Sequence, residues 1–230
     1  MLTRTFHAKL RFLAGYSDRL AVFLLLLVTG TGRQSGASLT DTWWHLRLGR
    51  EILQSGPPFF DMLSHTASGR PFVDHQWMGE AAFYLAVRLL GPAGISLLGT
   101  LLSSAAAAAV WAAVRRLTGN HPVQWIAVPI TCGYLFGMKY YLRPAAFGEL
   151  FLALTALVLF LERERPRLLL FLPPLFALWA NFHLSWTVGL LAAAVVGLGR
   201  VLEAAGEQRR RTVLRWGLAL PACIGALFIN

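Results

Sequence analysis

The chain predicts an all-α, polytopic membrane fold of about seven transmembrane helices, with a long first outer loop that itself forms juxtamembrane helices. Three observations predict it. Of the 230 residues, 56% are hydrophobic and only 14% charged, whereas a soluble domain carries roughly a quarter charged residues. The apolar residues gather into long runs separated by short polar punctuation, apart from one polar interval, Asp41 to Glu80, that holds five of the eleven carboxylates. The arginines, finally, sit in short clusters beside the apolar runs, which is how a membrane protein fixes its orientation.

The N-terminal MLTRTFHAKLRFLAGYSDR is basic and precedes an apolar run with no small-residue cleavage site, and so reads as an uncleaved signal anchor. The first span covers about 20–39, with Arg33 near its outer end, where the side chain can snorkel to the headgroups. The outer loop, 40–92, holds two amphipathic helices. The first, about 41–54, starts at Thr40 or Asp41 as N-cap, carries Asp41, Trp44, His45 and Leu48 on one face, and ends at Gly56-Pro57-Pro58. The second, about 75–90, follows the turn Ser68-Gly69-Arg70-Pro71 and closes at Gly91-Pro92, with Trp77, Glu80 and Tyr84 along one side. Trp43, Trp44 and Trp77 suit helices lying in the interface. Six further spans are expected at about 93–114, 123–138, 145–161, 167–181, 184–199 and 213–229. With a cytoplasmic N-terminus, fourteen of the twenty-one basic residues fall inside, including Arg115-Arg116, the 162–167 loop and the 208–211 run, as the positive-inside rule requires. The whole is one transmembrane module, and the stop at Phe228-Ile229-Asn230, directly at the outer end of the seventh span, is expected of a truncated chain.

Composition narrows the function. A net charge of +10 suggests nucleic acid, but there is no recognition module to go with it. Cys132 and Cys223 lie in separate apolar runs and form neither a disulfide framework nor a metal knuckle; they read as small core residues. The predicted topology brings three distant polar segments to one outer face: 41–80, 139–144 and 181–183. Asp41, at the junction of the first span with the interface, is either a helix cap or a general base toward a hydroxyl. Asp61 is either a turn residue or a substrate ligand. His45, His75, Glu80 and Asp41 form a mixed His and carboxylate set that suits a divalent ion, yet positions 75 and 80 lie about 140° apart around a helix and no HExxH pair exists. Lys139 and Arg143, with Tyr140 and Tyr141, make a cationic and aromatic cluster suited to a phosphate at headgroup depth or to plain headgroup anchoring. Glu149 is an ionisable group within a predicted span and so a candidate by default. His183, with Asn181, hydrogen-bonds either a sugar or a neighbouring helix.

Taken together, Asp41-Thr42-Trp43-Trp44-His45-Leu46, Gly49, Gly56, Pro58, Asp61, Ser64-His65-Thr66, Gly69-Arg70-Pro71 and His75-Gln76-Trp77-Met78-Gly79-Glu80 form a familiar pattern. With Leu142-Arg143-Pro144 and Leu178-Trp179-Ala180-Asn181-Phe182-His183, it resembles the bacterial multi-spanning proteins of the GT-C glycosyltransferase superfamily, over about residues 20–230. The resemblance implies a GT-C-like module that takes a polyprenyl-phosphate sugar as donor, at the outer face of the inner membrane and among membrane lipids. It implies Asp41 as base, Arg143 as phosphate partner, and His75 and Glu80 as lining residues. Many members carry paired acids where this chain has Asp41-Thr42-Trp43, which weakens a metal and the transfer of detailed roles. A lipid or small-anion carrier, in which the same charges line a path, and a non-catalytic assembly subunit remain open.

Overall fold

The computed structural model describes residues 40–118 and 143–229. The expected spans at 20–39 and 123–138, together with Lys139, lie outside the described residues. Within them the fold is all-helical and without strands; the one bridge pairs Phe60 with Pro71.

The two helices expected within 40–92 come first. Helix α1 (Thr40–Ser55) buries His45, Leu48 and Ile52, one stripe at helical spacing, together with Thr42 and Gly49. It stops at Gly56, whose φ of 85° only glycine adopts readily, and whose N–H still reaches the Ile52 carbonyl at 2.9 Å. The segment after it folds back on itself through Asp61 N–H to Arg70 O at 2.8 Å and Phe72 N–H to Phe59 O at 2.9 Å. Helix α2 (Trp77–Leu90) then packs along α1. The two helices meet so closely at Gly49 that a Cβ there would overlap the Glu80 backbone carbonyl and press on Tyr84.

Gly49→Ala is therefore expected to destabilise the purified protein by about 1–3 kcal/mol, although alanine is the better helix former. Gly217→Ala, whose new methyl meets nothing within 4 Å, is the control and should leave the melting temperature unchanged or slightly raised. Equal melting temperatures for the two variants would show that α1 and α2 do not pack this way.

The remaining helices form the bundle on which this pair sits. Helix α3 (Ala93–Thr118) packs on α4 (Ala145–Leu161) through Ala106, Ala109 and Ala153, where small side chains let the backbones approach. A 3-10 turn (Pro166–Phe171) leads into α5 (Leu172–Phe182), then come α6 (Trp186–Glu203) and α7 (Gly206–Ala226). The core joins α2, α4, α5, α6 and α7 around Phe83, Phe147, Phe151, Phe176, Trp179 and Trp216. Gly189 and Gly197 on α6 leave room for the rings of Trp179 and Trp216.

Two expected boundaries are corrected. The run 167–181 was expected as one helix, but Pro173 and Pro174 stand in the first turn of α5, where missing N–H groups are tolerated, and the residues before them wind as 3-10. The last helix begins at Gly206 and not at 213, because the Gln208-Arg209-Arg210-Arg211 run is polar yet strongly helix-forming; it ends at Ala226. Two helices, Ala93–Arg116 and Trp186–Glu203, are long and apolar enough to cross a membrane, and Ala145–Leu161 and Pro166–Phe182 are shorter apolar ones.

Candidate active site

The start of α1, the start of α2, the turn into α4 and the α5–α6 junction meet at one end of the bundle. Asp41, in the first turn of α1, pairs with Arg143, just before Pro144 opens α4, at 2.5 Å from Oδ2 to Nη2. Both side chains are about half exposed, 47% and 52%, so the pair lies at the surface and is accessible. An ion pair this exposed contributes roughly 0–1 kcal/mol and can be displaced by a competing anion.

Below it lies a buried polar layer. Glu80 is fully buried, and its Oε1 lies 2.8 Å from His45 Nδ1 and 3.1 Å from Gln76 Nε2. Burial pushes the Glu80 carboxyl up to about 9, with neighbouring Asp74 adding in the same direction and Gln76 opposing. At neutral pH Glu80 therefore holds its proton. Gln76 donates to Oε1, so the proton belongs on Oε2, and Asp74, which raises Glu80 through a side-chain hydrogen bond, is its acceptor. Oε2 of Glu80 and Oδ2 of Asp74 are the two carboxyl oxygens of this layer with no other partner, and one shared proton satisfies both. The other Asp74 oxygen accepts from the Gln76 N–H at 3.1 Å, ahead of α2.

This arrangement fixes the tautomer of His45. With the Glu80 proton directed at Asp74, Oε1 is an acceptor only, so His45 donates from Nδ1 and keeps its Nε2 lone pair. Burial holds His45 below its ordinary value; Asp41 and Asp74 act against this, and Arg143 and His183 with it. That set of neighbours brings Asp41, Asp74, Arg143 and His183 into the field of one imidazole. His183 Nδ1 accepts from the Ser185 backbone N–H at 3.1 Å and from the Ser185 hydroxyl at 2.9 Å, and that hydroxyl oxygen accepts from Trp179 Nε1 at 3.1 Å. Trp77 Nε1 donates to Asn181 Oδ1 at 2.8 Å, tying α2 to the end of α5, and Asn181 Nδ2 reaches the Ile229 carbonyl at 3.0 Å.

Of the residues singled out in the sequence, Asp41, His45, Glu80, Arg143 and His183 are thus brought together. Asp61 is not: its Oδ1 accepts from the Leu63 and Ser64 amides at 3.0 and 2.8 Å, the geometry of a turn, and the Ser64 hydrogen bonds hold it below the usual carboxylate range. His75 is exposed, while its neighbour Asp74 is buried. Asp74 was not singled out in the sequence, although it stands directly ahead of the helix expected from about 75, where a capping residue belongs; the helix starts at Trp77, and Asp74 accepts from the Gln76 N–H before it. Among the described residues no three His, Cys, Asp or Glu side chains stand as a metal-ligand set. The positive charge beside Asp41 comes from Arg143 instead.

Comparison with models of protein families, with curated proteins and with solved structures gives no match.

Proposed function

We propose that the protein is a membrane-embedded glycosyltransferase of the GT-C kind, which moves a sugar from a polyprenyl-phosphate donor to an acceptor hydroxyl at the outer face of a bacterial inner membrane. The observation that carries the reading is the Asp41–Arg143 pair, a carboxylate and a guanidinium from distant parts of the chain held together at an accessible surface. A donor phosphate docking on Arg143 takes the place of Asp41 and leaves that carboxylate to accept a proton. The acceptor oxygen then attacks the anomeric carbon as Asp41 takes its proton. The bond from that carbon to the phosphate oxygen breaks, and its electron pair leaves with the phosphate, where Arg143 balances the charge. In this reading His45, with Nε2 as acceptor, takes a sugar hydroxyl beside the pair, and His183, in the same electrostatic neighbourhood, supports it.

The membrane-embedded part of the reading is supported by what the helices leave uncovered. Along α6, Val188, Leu191, Val195, Leu198 and Leu202 are all more than half exposed, a continuous apolar stripe at 3-4-3-4 spacing. Such a stripe is unfavourable in water and ordinary against lipid chains. The 3-10 turn with α5 spans about 28 Å at 2.0 and 1.5 Å per residue, close to the hydrocarbon thickness of a bilayer.

The test has two arms. The full-length protein, purified and supplied with a panel of polyprenyl-phosphate sugars, is expected to form a new glycosidic bond on an added acceptor. Net movement of the lipid without any such bond would indicate a carrier and would sink the enzymatic reading. In cells, membrane-impermeant thiol labelling from outside should modify Ser68→Cys and spare Glu164→Cys. The reverse pattern would put the site on the wrong side.

A further inference from the structure

At the opposite end of the bundle, the far ends of α4 and α6 and the start of α7 enclose a polar chamber of about 240 Å³, bordered by Glu162, Arg163, Arg200, Glu203 and Arg215. Beside it, between α4 and α6, runs an apolar groove of about 400 Å³ lined by Thr155, Leu159, Phe160, Val196 and Gly199. Arg200 and Glu203 border both, so the charged chamber and the apolar groove lie side by side, within reach of the head and tail of one lipid. The groove lies within the range of small-molecule sites.

The head of this space favours an anion. Three guanidinium groups face two carboxylates. One carboxylate, Glu162, is buried and held by Arg200 Nε at 2.5 Å. The other, Glu203, lies 3.6 Å from Arg163 and 3.7 Å from Arg200, too far for hydrogen bonds, so those contacts leave N–H donors of both arginines unused. Arg215 donates only Nε, to the Arg211 carbonyl at 3.2 Å. Within the groove the Thr155 hydroxyl is fully buried with no hydrogen-bond partner.

We infer that this space is a binding site for one anionic phospholipid, with its phosphate among Arg163, Arg200 and Arg215 and an acyl chain in the groove against Thr155. The inference rests on the membrane-embedded part of the proposed function and is independent of glycosyl transfer. It assigns the bilayer lipid to the arginine-rich end and leaves the sugar donor at the other.

The experiment is native mass spectrometry of the full chain released from mild detergent, after addition of palmitoyl-oleoyl phosphatidylglycerol or phosphatidylcholine. One phosphatidylglycerol should be retained in preference to phosphatidylcholine by at least roughly tenfold, the scale of one charge-assisted hydrogen bond. Gly199→Phe is the decisive variant, because a Cβ at Gly199 meets nothing within 4 Å, so the ring can enter the groove without displacing the backbone. It should fold, melt like the wild type and lose the bound lipid. Arg215→Gln should keep a lipid but lose most of the preference for phosphatidylglycerol. Equal retention by Gly199→Phe and the wild type would mean that the lipid is annular, and would overturn the site. So would a wild type that retains no lipid, or one that retains phosphatidylcholine as well as phosphatidylglycerol. A failure of glycosyl transfer alone would leave all of these readouts unchanged.

Discussion

Asp41→Asn is expected to lower turnover by roughly a hundred- to ten-thousand-fold, the range typical of general-base removal, while donor binding stays as tight as in the wild type or becomes tighter. The asymmetry follows from the ion pair. In the free protein Asp41 occupies the Arg143 guanidinium at 2.5 Å, so a donor phosphate competes with it. The amide keeps the size of the carboxylate but neither its charge nor its capacity to take a proton. Competition is relieved and the base is lost in one substitution. Arg143→Ala should do the opposite to binding and weaken donor affinity by roughly tenfold or more, because it removes a charge-assisted contact made in the ground state. Separate measurements of donor affinity and of single-turnover rate distinguish the two. If Asp41→Asn left the rate unchanged, Asp41 would be a helix cap and the proposed chemistry would lose its base.

The sequence made the two helices of 40–92 legible because their limits are written locally. Asp41 opens one, and Gly56-Pro57 and Gly91-Pro92 end them, and the structure has them at Thr40–Ser55 and Trp77–Leu90. All-helical architecture followed from composition and from the long apolar runs read as spans. Where apolar pattern and helix disagree, as at Gly206 to Thr212, reading the apolar run alone misplaced the boundary by seven residues. The site was legible only to the level of a shared face. Nothing local in the sequence says that Asp41 touches Arg143, since that contact depends on how α1 and α2 lie across the start of α4. Asp74 and His75 illustrate the limit. They are adjacent, but the chain there precedes the first helical turn of α2, so one side chain is buried while the other is exposed. A pattern of residue types cannot choose between them. Nor does it reveal that Glu80 is held as a neutral acid, because that depends on the desolvation that α1 imposes at Gly49.

Glu80 has a measurable consequence for stability. Its carboxyl titrates near 4.5 when exposed and at about 9 in the folded protein, so between those values the native state holds a proton that the unfolded chain has released. Stability then falls as pH rises, and the contribution of this group, full below 4.5, is lost as pH climbs through 9. His45 works in the other sense. Burial lowers it from 6.5, so the unfolded state is the one favoured by protonation as pH drops below that value. The window in which Glu80 acts without His45 therefore begins at about pH 6.5. From there to pH 8.5 the wild type is expected to lose about 2–3 kcal/mol of stability on account of Glu80. Glu80→Gln mimics the protonated acid: its carbonyl can accept from His45 and Gln76 as Oε1 does, and its amide can donate to Asp74 in place of the shared proton. The variant should match the wild type only below about pH 4.5, already melt above it near pH 6, melt further above it at pH 8.5, and lack the decline in between. Melting curves of both proteins across that range, in one detergent and at one ionic strength, decide the matter. Parallel curves would mean that Glu80 titrates as an ordinary carboxylate, and that the proton assigned to the Glu80–Asp74 pair, with the His45 tautomer that depends on it, is wrong.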